Sequence, residues 1–179
     1  IPIVYNSSGY EKVEAIEALN GIVDIFLPDF KTLSPELSKK LCSAEDYPET
    51  AKKALLWMIE HNPLKFASVE KNGVTKQKLL QGVIIRHLFL PGRFEETVDV
   101  LSWLKENADK KAIISLMNQY TPVPFAGSED ELKRRKNALS AIENRLVNTT
   151  EDQDLRDMIE AFDFDLLFYQ DLSTDTDWL

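Results

Sequence analysis

Short continuous apolar runs along the chain are separated by longer stretches whose apolar residues recur at helical spacing. Ile3-Val4-Tyr5 and residues 22–27, 83–90 and 112–117 are the main runs, each too short for a buried helix and bounded by turn residues, so they read as strands. Val83-Ile84-Ile85-Arg86-His87-Leu88-Phe89-Leu90 is the strongest, and its near-continuous apolarity predicts burial on both faces. Pro28 and Pro91-Gly92 close two of these runs, and Leu166-Leu167-Phe168-Tyr169 predicts a last short strand.

Helical spacing fills the intervals. Ser8 and Glu11 have capping-box spacing ahead of a helix that reaches about Leu19 and stops at Asn20-Gly21. Ser34 can cap a short helix with Pro35 at its first position. Ala51, Ala54, Leu55, Met58 and Ile59 share one face of a helix over residues 48–60, and Val98, Leu101 and Leu104 give the inner edge of one over 95–107. Ser128 and Glu131 form a second capping box, before a helix whose inner residues read as Leu132, Leu139, Ile142 and Leu146. Thr149 or Thr150 is the expected cap of a last helix, with Leu155, Met158, Ile159 and Phe162 on its apolar face. Residues 63–80 break the alternation; Asn72-Gly73 marks a turn there, hence a small hairpin or ordered excursion. Strand–helix alternation predicts an α/β fold with right-handed crossovers and about four main, mostly parallel strands plus flanking helices, as an incomplete barrel or an open sheet.

Composition narrows the class. At 179 residues and 44% hydrophobic, the chain suits a single domain over residues 1–179 with a sizeable core. No apolar run approaches the roughly 20 residues that span a membrane, and no signal peptide is visible. A single cysteine, Cys42, excludes an internal disulfide and any site needing several thiolates, so a cytoplasmic location is the expectation. The net charge of −9 resides in residues 150–179, an acidic C-terminal segment with ten Asp or Glu and one Arg; the rest holds 20 acids and 20 bases. No basic stripe suggests nucleic acid. The chain opens inside a strand-like run and ends on Trp178-Leu179, which reads as a cut through a longer protein.

Candidate chemistry gathers where strands end. Asp29 and Lys31, two apart, share a face at the end of the second strand; they could hold an amino-acid-like ligand or form an exposed ion pair. Arg86 lies inside a core-like strand, where an unpaired charge is costly, so it serves either a ligand or a buried ion pair. His87 faces the other way and reads as a packed side chain, while His61 suits a helix end. Asn6, Ser7 and Ser8 could bind a ligand or only turn the chain, and Gln119 and Tyr120 offer hydrogen bonds at another strand end. There is no glycine-rich phosphate fingerprint, nucleophile elbow or HExxH motif.

The segments PIVYNSSGYE, GIVDIFLPDFK, VIIRHLFLPG, IISLMNQYTPV and YQDLSTDTDWL, in this order, resemble the later part of radical S-adenosylmethionine proteins related to the pyruvate formate-lyase activating enzyme. The resemblance implies a partial (β/α) barrel fragment. It also implies that the intact protein cleaves S-adenosylmethionine reductively with a [4Fe–4S] cluster held by a CxxxCxxC loop. A radical then passes to a partner, such as a glycyl-radical polypeptide, with a separate electron donor. By this resemblance Asn6 and Ser7 fall at a polar strand end, Asp29 and Lys31 match an Asp-x-Lys, Arg86 matches a strand Arg, and Gln119-Tyr120 match another polar strand end. These positions would hold S-adenosylmethionine or the substrate segment. The three cysteines and the Gly-Gly-Glu-type strand end that binds the cofactor's amino group are absent and are expected before Ile1, so this chain is expected to carry no cluster. Asn6 stands in place of an acid and Tyr120 near a His of the activating enzymes proper. Two other readings stay open: a non-catalytic interaction domain derived from a barrel, and a lyase-type barrel using Lys31 as an amine nucleophile, which the adjacent Asp29 disfavours. An open barrel exposes a sheet edge, so self-association through it is also expected.

Overall fold

The computed structural model describes residues 1–71 and 73–170. The residues 171–179 of the acidic segment, and Asn72 of the expected turn, lie outside the described residues. In chain order the elements are β1 (Val4–Ser7), α1 (Val13–Glu17), β2 (Ile25–Pro28), α2 (Pro35–Cys42), α3 (Tyr47–His61), β3 (Lys65–Lys71), β4 (Val74–Leu88), α4 (Phe94–Ala108), β5 (Ile113–Met117), α5 (Glu129–Leu139), α6 (Thr149–Phe162) and β6 (Leu167–Gln170).

The six strands form one mostly parallel α/β sheet in the order β1-β2-β4-β5-β6, with β3 antiparallel to β4 and off this path. Every parallel step runs in the same direction across the sheet. With right-handed crossovers this places the helices on one face, as in a partial barrel. The register aligns Ser7 with Pro28, Asp29 with Arg86, Arg86 with Ser115 and Ser115 with Phe168.

The helix-covered face is the core. Val83, Ile85, His87 and Phe89 of the central strand region are buried, beside Phe26, Ile114 and Leu116 and beneath Ala54, Leu55, Met58, Leu101, Leu104 and Leu155. Burial on both faces is not what β4 has. Ile84, Arg86 and Leu88 are only half-buried, because among the described residues no helix covers their side of the sheet. On that same side Val4 is 52% exposed and Phe168 65% exposed.

Other local expectations shift for identifiable reasons. The Ser8–Glu11 capping box is not formed: Lys12 precedes a shorter α1, and Glu11 instead accepts a hydrogen bond from Ser7 Oγ at 3.2 Å. Ser34 caps α2 as expected, accepting from the Leu37 N–H. Ser128 and Glu131 form their capping box, but α5 ends at Leu139 and buries no residue, since it packs on α2 rather than on the sheet; Leu146 is exposed. Asn148, rather than Thr149 or Thr150, caps α6 in a reciprocal box with Glu151. The hairpin of residues 65–81 runs straight into the core strand, so β4 is a single 15-residue strand. Gly82 makes the passage: its φ is +146°, and a Cβ there would lie 2.6 Å from Leu64 Cδ2. Asn62 fastens the same point, donating to the carbonyls of Asp24 and Gly82.

Candidate functional site at the strand ends

Parallel strands deliver β1, β2 and β4 to one rim, and three charged side chains meet there. Asp29 follows β2 directly and pairs with Arg86 across an isolated parallel bridge, which points both side chains to the uncovered face. Arg86 Nη2 lies 2.6 Å from Asp29 Oδ1, and Lys31 Nζ lies 2.6 Å from Asp29 Oδ2. Arg86 Nη2 also donates to Asn6 Oδ1 at 2.7 Å. One carboxylate therefore serves two cations, and the triad carries one excess positive charge. Asp29, Lys31 and Arg86 line a cleft of about 250 Å³ with Leu88 and Met117. Arg86 Nε is buried without a hydrogen-bond partner. The side chains of Asp29 and Arg86 are 22% and 25% exposed, so neither the surface pair nor the fully buried pair describes them.

The backbone around this triad is fixed by residues that do not belong to it. Gly9 sits at φ +75°, and a Cβ there would lie 2.1 Å from the Asp29 carbonyl oxygen, so only glycine lets the turn after β1 close on the end of β2. Ser7 Oγ accepts from Gly9 N and stabilises that turn. The Tyr47 hydroxyl, buried, accepts from the Lys31 N–H at 2.9 Å and lies 3.0 Å from the Asp29 carbonyl and 3.1 Å from that of Ser8. Burial raises the Tyr47 phenol pKa above its ordinary value, which keeps the proton available for donation. Beyond Lys31, Glu96 Oε1 accepts from Thr32 Oγ1, from Leu33 N at 2.6 Å and from Ser34 N at 3.2 Å, so α4 grips the loop that leads into α2. His87, 2% exposed, completes the grip from below. Its Nδ1 is 2.7 Å from the Phe30 carbonyl and its Nε2 3.0 Å from Thr97 Oγ1, an arrangement that suits the neutral ring. Burial lowers its pKa, with the Phe30 hydrogen bond opposing. Glu11, near Asp29, has its pKa raised mainly by burial, with the Ser7 hydrogen bond opposing.

Of the residues singled out from sequence, Asn6, Asp29, Lys31 and Arg86 come together. Ser7 stands beside them, committed to Glu11 and Gly9. Tyr120 is buried, and its hydroxyl donates to Asn144 Oδ1 at 2.7 Å, while Asn144 also accepts from Val123 N; this fastens the loop after β5. Gln119 is half-buried next to it. Neither lines the Asp29 cleft. Tyr47, Gly9 and Glu96 escape sequence reading because their partners lie far along the chain. Asn118 does too: buried behind β5, it donates to Asp152 Oδ1 and to the Tyr169 hydroxyl and joins β6 to α6.

No family model matches the sequence. An uncharacterized protein of Methanocaldococcus jannaschii is 30% identical over 136 residues, which cover 75% of this chain and 34% of that protein. The chain thus matches about a third of the length of that relative.

Proposed function

We propose that this chain forms the C-terminal ligand rim of a radical S-adenosylmethionine barrel, and that the Asp29–Lys31–Arg86 triad receives the amino-acid end of S-adenosylmethionine. The observation that carries the reading is the excess positive charge of the triad over an open cleft, at the carboxyl ends of parallel strands where ligands of such folds bind. A ligand carboxylate would complete the charge balance. Lys31 and the terminal nitrogens of the Arg86 fork are suited to it. Asp29 is suited to a ligand ammonium.

Among the described residues no group of His, Cys, Asp or Glu could hold a metal ion, so they do not fit a [4Fe–4S] cluster and no step is assigned to one. In the whole protein the resemblance implies radical chemistry on S-adenosylmethionine, a glycyl-radical polypeptide as recipient and an electron donor. This chain's own residues bind and orient.

Calorimetric titration of the full-length protein with S-adenosylmethionine tests the reading. Saturable binding is expected, weakened about tenfold or more in Arg86→Gln, where a charged hydrogen bond is lost. Absence of binding at millimolar ligand, or equal affinity in the variant, would contradict it. A second reading, an interaction domain without catalysis, is favoured by the exposed Val4 and Phe168 on the uncovered sheet face. No observation favours Lys31 as a nucleophile.

A further inference from the structure

A second cleft lies away from the strand ends, between α2 and α5. It has a volume of about 510 Å³ and is lined by Lys39, Lys40, Arg134 and Arg135, with Ser43 and Asn137 as neutral polar neighbours. Four cations converge here on a chain whose overall charge is −9. Several cations elsewhere are neutralised at close range, such as Arg86 by Asp29, Lys105 by Asp109 and Arg145 by Glu143 and Glu151, and others stand singly without an ion pair among the described residues.

What sets the cleft apart is that four cations share its lining with one carboxylate partner between them among the described residues. Lys39 alone has a carboxylate partner, Glu45, at 2.7 Å. Lys40 has no hydrogen-bond or ion-pair partner among the described residues. Arg134 makes one long hydrogen bond, Nε to the Asp130 carbonyl at 3.4 Å, and its terminal nitrogens have no partner among the described residues. Arg135 Nη1 donates to the carbonyls of Pro124 and Ala126 at 3.1 and 2.8 Å, and its charge acts on Glu131 one turn earlier without an ion pair among the described residues. The nearest acid on its helix, Glu131, is committed to capping Ser128 through both its N–H and its hydroxyl. Cations near a helix C-terminus are favoured by the dipole, and one per helix end suffices for that. Two on α2 and two on α5, facing one cleft, exceed it.

We propose that this cleft binds a small ligand carrying two or more phosphate groups. The volume falls within the range of small-molecule sites. Arg forks take phosphate oxygens two at a time, and lysines supply point charge. One carboxylate would answer only one of these cations, whereas a phosphate chain answers several. Ser43, at the left-handed C-cap of α2 with φ of 57°, also lines the neighbouring cleft of Lys31, Tyr10 and Tyr47.

The source of the phosphates is either an inorganic chain or a nucleotide, and the two are separable. The full-length protein is titrated at physiological salt with tripolyphosphate and, separately, with a nucleoside triphosphate. Saturable binding of both is expected, with affinity falling as salt rises. Equal affinities identify the phosphate chain as sufficient, and tighter nucleotide binding adds a contact to the base or sugar; either supports the proposal. The charge-reversed pair Lys40→Glu with Arg134→Glu changes two exposed side chains and should weaken binding at least about tenfold. Circular dichroism monitors its fold, and Lys40→Gln alone serves as the milder variant, with a smaller loss expected. Arg86→Gln, which disables the rim, should leave phosphate binding unchanged, so failure of one site does not imply failure of the other. No saturable binding of either ligand, undiminished binding in the charge-reversed pair, or binding of an acidic peptide where neither phosphate binds would overturn the proposal.

Discussion

Tyr47 shows how the rim depends on residues that carry none of its charge. Its hydroxyl answers the Lys31 N–H and reaches the carbonyls of Ser8 and Asp29, so one buried oxygen joins the ends of β1 and β2. Tyr47→Phe leaves these groups unsatisfied and is expected to cost about 1–3 kcal/mol in denaturant unfolding. An unchanged midpoint would mean that water replaces the phenol without loss. His87 adds a pH dependence. Burial holds its pKa below the ordinary 6.5, so its neutral form belongs to the folded state. That contribution is complete above the unfolded value and is lost as pH falls through and below it. Unfolding free energy measured from about pH 7 to about pH 5 should decline more steeply in the wild type than in His87→Gln; parallel profiles would contradict the assignment. At this scale Asp29, Lys31 and Arg86 were legible, because a charge inside an apolar strand demands a partner. Tyr47, Gly9 and Glu96 were not, because their meaning lies in contacts across many residues of chain.

At the scale of elements, apolar runs and capping residues located most strands and helices, since both are local signals. Where two signals competed, the pattern alone could not decide. Ser8 and Glu11 have capping spacing, yet Ser7 captures Glu11 and the turn at Gly9 is drawn against Asp29. Residues 74–81 look too polar for a core strand, yet they continue into it through Gly82 because the hairpin stands beyond the sheet. The leucines around α5 look like an inner face, yet that helix rests on α2. The grip of α4 on the loop after β2 is the inter-element contact that matters most for the rim. Glu96→Ala removes an acceptor of three hydrogen bonds and should cost about 2–3 kcal/mol. It should also loosen amide exchange protection at Leu33 and Ser34; protection equal to wild type would place the restraint elsewhere.

For the whole molecule, the one-directional strand order leaves one sheet face without helices among the described residues and leaves β1 and β6 at the edges of the described sheet. Exposed Ile3 and Val4 border one edge and Phe168 the other. We expect the isolated chain to self-associate through these surfaces. Light scattering over a range of concentrations should show a rising mass, lowered by Val4→Lys; a monomer throughout would rule it out. No helix of the described residues is long and apolar enough to cross a membrane. At the rim, Lys31 and Arg86, the two cations that share Asp29, are proposed to receive a ligand carboxylate. The most direct measurement compares binding of S-adenosylmethionine and of its decarboxylated analogue to the full-length protein, in wild type and in Arg86→Gln. Wild type should prefer S-adenosylmethionine by about tenfold or more, and Arg86→Gln should abolish the preference. Equal binding of both ligands to the wild type, or a preference that survives loss of Arg86, would contradict it.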